Sequence, residues 1–205
     1  MNQKNNMHAK DKQHTLNDIQ EALLAQAACM VLNKQIDIPL IQTLFNELLD
    51  YQVYTDEMIE ILYPKNDYTQ AEFYVFFRTA LQSIDYPLPQ NEQQARELII
   101  HYYLKRIAEQ NYNPVNEISV MLDIIADSEE LEDTTILGAA EPLYKVFISY
   151  DYSDYPDGAN DNLYYSAYSH ASFLEIIDRW AKNKAHLAEI AKKCLENELK
   201  NNKIH

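Results

Sequence analysis

The chain has only two glycines, Gly138 and Gly158, among its 205 residues. Phosphate-binding loops and the dinucleotide-binding fingerprint both need several glycines at fixed spacing, so neither motif occurs in this sequence. The H-E-x-x-H, C-x-x-C and nucleophile-elbow patterns are missing as well. The glycine count therefore excludes several common catalytic frameworks and favours a helical protein.

Apolar periodicity predicts helices along almost the whole chain. Between residues 73 and 84, for example, apolar side chains recur every three or four positions, as on one face of a helix. Helix-start signals occur at Thr15-x-x-Asp18, Thr69-x-x-Glu72, Asn91-x-x-Gln94 and Asn113-Pro114. The predicted helices are 15–33, 38–50, 56–63, 69–84, 91–110, 114–127, 139–149, 162–181 and 184–200.

The segment 144–152 fits two structures, because its apolar side chains also alternate as in a strand. Nothing else in the chain predicts a partner strand, so a helix is favoured and a short hairpin is the alternative. The sequence thus predicts an all-α fold, an irregular bundle of eight or nine helices. We expect a flexible polar tail over 1–14, a single helical domain over 15–200 and a disordered end over 201–205.

Cysteine use and hydropathy predict a soluble cytoplasmic protein. Cys29 and Cys194 fall at apolar positions of separate predicted helices, which is typical of small buried residues in a reducing compartment. No apolar run approaches the ~18 residues that cross a bilayer, and the first ten residues lack a signal-peptide core. We expect no membrane association, and no cofactor or metal for stability, since a chain of this length can bury an adequate core.

The formal net charge is −15, and it is unevenly distributed. Residues 35–64 contain six acids and no Lys or Arg, and residues 127–161 carry −9. Residues 179–205 carry +4. Acidic surfaces keep proteins soluble, which accounts for many of these charges. The distribution also argues against nucleic-acid binding, which needs a basic footprint.

Two groups of residues could in principle bind a metal. Glu97 and His101 lie one helical turn apart, but a second such pair is missing, so we expect His101 to pair with Glu97. The loop 150–162 contains Asp151, Asp154, Asp157 and Asp161. With Gly158 in the sixth position of an EF-hand, Ser153 and Tyr155 would occupy ligand positions, so the calcium-binding register is wrong. The loop is then a plain solvated turn or a binding surface, with a cation site as a third alternative.

The tyrosines around this loop favour a binding surface. Seven lie between residues 144 and 168, and tyrosine supplies contact area at low entropic cost while carboxylates steer a basic partner. The candidate partner-binding residues are Tyr150, Asp151, Tyr152, Asp154, Tyr155, Asp157, Asp161, Tyr164 and Tyr165, joined by the acidic stretch 35–64. Neutralising the four aspartates is expected to slow association and leave folding intact. Truncating Tyr155 or Tyr165 is expected to speed dissociation.

A segment within 61–84 resembles the colicin and pyocin nuclease immunity proteins, which are small acidic helical inhibitors. Residues 66–73, N-D-Y-T-Q-A-E-F, are similar to the first helix of that family. Tyr63-Pro64-Lys65 with Asp67 resembles its tyrosine, proline and lysine beside an acidic loop. The resemblance implies a helical inhibitor of a toxin.

Three functions remain open from the sequence. The first is an immunity or antitoxin-like inhibitor of a basic bacterial toxin domain, and the alternative is a helical adaptor or regulatory interaction module. A second alternative is an enzyme whose site one sequence does not disclose. No catalytic residue is predicted.

Overall fold

The computed structural model describes residues 15–64, 69–109, 112–126, 134–156 and 170–201. The all-α class predicted from the sequence is confirmed, because these residues form eight α-helices and two 3-10 segments and contain no strand. The helices are α1 (Leu16–Val31), α2 (Ile38–Asp50), α3 (Ile59–Leu62), α4 (Gln70–Ser83), α5 (Glu92–Ala108), α6 (Pro114–Ile125), α7 (Glu141–Phe147) and α8 (His170–Asn201). The 3-10 segments are Asp56–Met58 and Thr134–Ala140. The predicted tail 1–14 lies outside the described residues.

Two of the predicted capping boxes start helices as expected. The Thr69 hydroxyl accepts the Glu72 backbone N–H at 3.2 Å, and the Glu72 carboxylate accepts the Thr69 N–H at 2.8 Å. Thr15 and Asp18 make the same reciprocal pair at 3.2 and 3.0 Å. Each box satisfies N–H groups that the first turn of a helix otherwise leaves unpaired, which fixes where α1 and α4 begin.

The predicted break between residues 181 and 184 is wrong, because α8 runs without interruption through this point. Residues 181–184 contain neither proline nor glycine, so nothing in the backbone ends the helix there. Ile176, Trp180 and Leu187 are all buried at spacings of four and seven, so one apolar face continues across the expected break. The predicted start at 162 lies outside the described residues.

In the ambiguous segment 144–152, α7 ends at Phe147 and a turn follows, so the helix prediction is confirmed for residues 144–147 and the hairpin alternative is wrong. Pro142 lies in the first turn of α7, where proline favours a helix. Before α7, the 3-10 segment is broken at Gly138, which has φ +46° and ψ −122°. Only glycine adopts this backbone conformation without strain.

The chain groups into two compact units, and α1 contributes to both. Unit 1 includes α2, α3 and α4, whose inward faces form its core. Phe45 and Phe77 meet edge to face with ring centroids 6.1 Å apart. Almost no surface is exposed on Ile41, Leu44, Phe45, Leu48, Met58, Ile61, Phe77 and Leu81.

Unit 2 is built around α5, which packs against α6, α8 and the 3-10 segment before α7. Cys29 and Cys194 are both buried in this unit as free thiols, which confirms their predicted place among apolar side chains. Burial raises the pKa of the Cys29 thiol to about 11. None of the helices in the described ranges has the length and apolarity needed to cross a bilayer.

Candidate functional site

In unit 2, the segment 150–155 folds back onto α8. Tyr150, Tyr152 and Tyr155 surround the indole ring of Trp180, which is 1% exposed. Their ring centroids lie 6.3, 5.1 and 4.7 Å from that of Trp180. These edge-on and tilted arrangements are the favourable ones for aromatic pairs. The three half-buried tyrosines therefore contribute to packing within the protein.

Asp154 joins the same aromatic group through its carboxylate. One oxygen accepts the Trp180 indole N–H at 2.9 Å, and the other forms an ion pair with Arg179. The Asp154 side chain is 17% exposed, so both interactions are only partly screened by water. We call Trp180, Tyr150, Tyr152, Tyr155 and Asp154 the Trp180 cluster.

The tyrosine hydroxyls of the cluster also have partners inside the protein. Tyr152 donates to the backbone carbonyl of Phe147 at 2.8 Å, and Tyr150 shares a 2.8 Å hydrogen bond with His186 Nδ1. Burial raises the pKa of the Tyr152 hydroxyl well above its ordinary value, and the neighbouring tyrosines add to this. Burial raises the pKa of Tyr150 as well. Both groups are therefore neutral over the physiological range.

Of the nine predicted partner-binding residues, five lie in the described part of the chain. Asp151 is exposed, and its carboxylate accepts the Ser153 N–H at 2.9 Å. The backbone hydrogen bond from Ser153 is the main cause that lowers the pKa of Asp151. Asp157, Asp161, Tyr164 and Tyr165 lie outside the described residues. Partner binding by this segment stays a prediction.

A second group of tyrosines and acids, in unit 1, is turned toward solvent. Tyr54 is 52% exposed and Tyr63 is 72% exposed. Five of the eleven exposed large apolar side chains in the described residues fall between positions 49 and 63. We call the following exposed residues the Tyr54 surface: Asp50, Tyr51, Tyr54, Asp56, Glu57, Ile59 and Tyr63.

The backbone explains why the Tyr54 surface is exposed. The 3-10 segment Asp56–Met58 leads directly into α3, and the buried side chains Met58 and Ile61 lie three residues apart on one face. Asp56, Ile59 and Tyr63 follow the helical spacing of another face, which points away from the core. More than half of the surface of Tyr54 and of Tyr63 is exposed, so packing in unit 1 accounts poorly for these two rings.

Arg106 in unit 2 shows how this protein holds a guanidinium group. Its Nε and Nη2 atoms donate to the two carboxylate oxygens of Glu117 at 2.6 and 2.9 Å. The guanidinium carbon lies 3.6 Å from the ring centroid of Tyr112. The Tyr102 hydroxyl accepts a further bond from Arg106 at 3.2 Å. A tyrosine face and a bidentate carboxylate thus bind one arginine.

His101 has a carboxylate partner that the sequence did not indicate. Its Nδ1 atom lies 2.8 Å from Glu198 Oε2, which links α5 to α8 across 97 residues of sequence. Only a tertiary contact brings these two residues together, so local spacing points to Glu97 instead. Within the described ranges, no three His, Cys, Asp or Glu side chains are grouped closely enough to ligate a metal ion.

An open groove of about 320 Å³ lies in unit 2 between the start of α6 and α8. It is lined by Tyr112, Asn113, Pro114, Ala181, Lys184 and Ala185. Lys184 is the one amine in this lining, and no carboxylate or imidazole accompanies it. The groove therefore does not offer the acid and base pair typical of general acid–base catalysis.

No protein-family model, curated protein sequence or solved structure matches the chain.

Proposed function

We propose that this protein binds a basic protein, and that it acts as an immunity or antitoxin-like inhibitor of a basic bacterial toxin domain. The observation that carries the proposal is the Tyr54 surface, where exposed tyrosines lie in a stretch without Lys or Arg. Tyrosine anchors and acidic side chains around them are the combination that binds Lys- and Arg-rich surfaces.

Charge supports a basic partner over an acidic or neutral one. Residues 37–64 carry six acids and no base, within a chain of net charge −15. Such a surface attracts a cationic protein over several ångströms and repels nucleic acid. The exposed aromatic rings add short-range contact area, which charge alone does not supply.

The proposal is tested with the protein encoded by the upstream neighbouring gene, if that gene encodes a secreted protein with a basic C-terminal domain. Expression of that domain alone should arrest growth, and co-expression with this chain should restore it. Titration calorimetry should show a stable complex that weakens as salt rises, because charge steers its formation. If the complex forms but the domain stays active, the protein is an adaptor or regulatory module and the proposal that it is an inhibitor is wrong.

A matched pair of variants then tests the surface. Asp56→Asn with Glu57→Gln removes two exposed acids from the Tyr54 surface. Asp123→Asn with Glu175→Gln removes two exposed acids from unit 2. The first pair should slow association about tenfold at low salt, and the second should change it far less. Equal slowing by both pairs contradicts binding at the Tyr54 surface.

A further inference from the structure

We infer that the Tyr54 surface recognises arginine rather than positive charge in general, so that its partner presents an arginine-rich segment. This inference rests on the proposed function and narrows the chemistry of the partner. It starts from the exposed rings of Tyr54 and Tyr63, which flank the exposed acids Asp56 and Glu57 in the sequence.

Lysine and arginine differ in what they gain from such a surface. Both are attracted by carboxylates, but the planar guanidinium also stacks on an aromatic face and is more weakly hydrated than an ammonium group. Arginine can in addition donate two parallel hydrogen bonds to one carboxylate. A surface with acids alone discriminates little between the two, whereas a surface with acids and exposed rings favours arginine.

The protein already uses this chemistry at a half-buried position in unit 2. Arg106 stacks on Tyr112 at 3.6 Å and donates two hydrogen bonds to Glu117. The Tyr54 surface carries the same two side-chain types, exposed and without a base among residues 37–64. The Arg106 site thus demonstrates, within one chain, the pairing that we assign to the Tyr54 surface.

Charge argues against a second copy of the chain as the occupant. Two Tyr54 surfaces would bring acidic segments together with no Lys or Arg in either. Like charges that face each other disfavour association. Concentration-dependent dimerisation that blocks this surface, measured by sedimentation, would overturn the inference.

The test compares two peptides of equal charge, octa-arginine and octa-lysine, each acetylated and amidated, on the full chain at 0.15 M salt. We expect octa-arginine to bind about fivefold more tightly, because the planar guanidinium stacks on the exposed rings and is more weakly hydrated than an ammonium group. Amide shifts measured by NMR should be largest between residues 50 and 63. Equal affinities, or shifts centred elsewhere, would overturn the inference.

Two variants separate stacking from charge. Tyr54→Leu with Tyr63→Leu keeps the side chains large and apolar but removes both aromatic faces, so the fivefold preference for octa-arginine should fall below about twofold. Asp56→Asn with Glu57→Gln should weaken the binding of both peptides and leave a preference for octa-arginine of at least about twofold, because the aromatic faces remain while the bidentate carboxylates are lost. Val75→Leu, on the exposed side of α4, is the control and should change neither. Unchanged melting temperatures would confirm that each variant folds.

The outcomes distinguish this inference from the proposed function. If both peptides bind equally and the toxin domain is still neutralised, the arginine preference is overturned while inhibition of a basic partner stands. If the peptides behave as expected but no basic toxin domain is neutralised, the inhibitor proposal is overturned and the arginine-binding surface stands. A preference that persists in the double tyrosine variant overturns the inference, whichever partner is found.

Discussion

The protein contains two segments rich in tyrosine and acid, and it uses them in opposite ways. The tyrosine rings of residues 150–155 pack against Trp180, and the Asp154 carboxylate binds the Trp180 and Arg179 side chains. Residues 50–63 keep their rings and acids at the surface. Each segment contains three tyrosines and at least two acids, but residues 150–155 pack against the large buried ring of Trp180. A tyrosine-rich acidic segment is therefore not by itself evidence of a binding surface.

The largest expected effect is a loss of stability when the Trp180 cluster is disrupted. Trp180→Ala should lower the free energy of unfolding of unit 2 by about 3–5 kcal/mol, because it removes a fully buried ring and its packing partners lose contact. Urea denaturation followed by circular dichroism measures this change. Trp180→Phe retains most of the ring and should cost clearly less. A loss below about 1 kcal/mol for the alanine variant would show that the Trp180 cluster contributes little to stability.

Asp154→Ala should destabilise unit 2 by about 1–3 kcal/mol, since it leaves the Trp180 indole N–H without its acceptor. The sequence alone predicts that all four loop aspartates can be neutralised without loss of folding, and the contacts of Asp154 now argue against that. Asp151→Ala, at an exposed position nearby, is the control and should change stability by at most about 0.5 kcal/mol. Equal urea midpoints for the two variants would show that the Asp154 contacts with the Trp180 cluster do not stabilise the protein.

A smaller effect is expected from one hydroxyl. Tyr152→Phe removes the donor to the Phe147 carbonyl and leaves the ring packing in place. The loss should be about 1 kcal/mol, which is typical of a single hydrogen bond. Thermal unfolding with the wild type as reference measures it. A more stable variant would show that solvent replaces this bond at no cost.

The smallest effect on stability is expected from substitutions in the Tyr54 surface. Tyr54→Ala and Tyr63→Ala should each change the free energy of unfolding of unit 1 by less than about 0.5 kcal/mol, because both side chains are mostly exposed. Phe77→Ala, in the core of the same unit, should cost about 3–5 kcal/mol and serves as the positive control. If Tyr54→Ala approaches the cost of Phe77→Ala, the Tyr54 surface is part of the core.

The sequence predicted features that depend on neighbours along the chain. The Thr69 and Glu72 box and the Asn113 and Pro114 cap placed helix starts correctly, since the bonds that define them span two or three residues. The sequence did not show that the tyrosines at 150–155 pack against Trp180, because Trp180 lies 26 residues beyond Asp154. The partner of His101 was missed for the same reason, since Glu198 lies 97 residues away. The break at 181–184 was an avoidable error, because the sequence shows both the spacing of Ile176, Trp180 and Leu187 and the absence of proline and glycine.

The packing of α5 against α8 has a consequence for how the protein is made. About 60 residues separate the end of α5 from the described start of α8, and the His101–Glu198 contact spans 97. At synthesis rates of about 5–20 residues per second, the apolar face of α5 leaves the ribosome about 3–12 seconds before its partner helix does. The helices themselves form in about a microsecond. The face of α5 that packs against α8 therefore stays without that partner during synthesis, and joining the two helices carries the entropic cost of closing the chain between them.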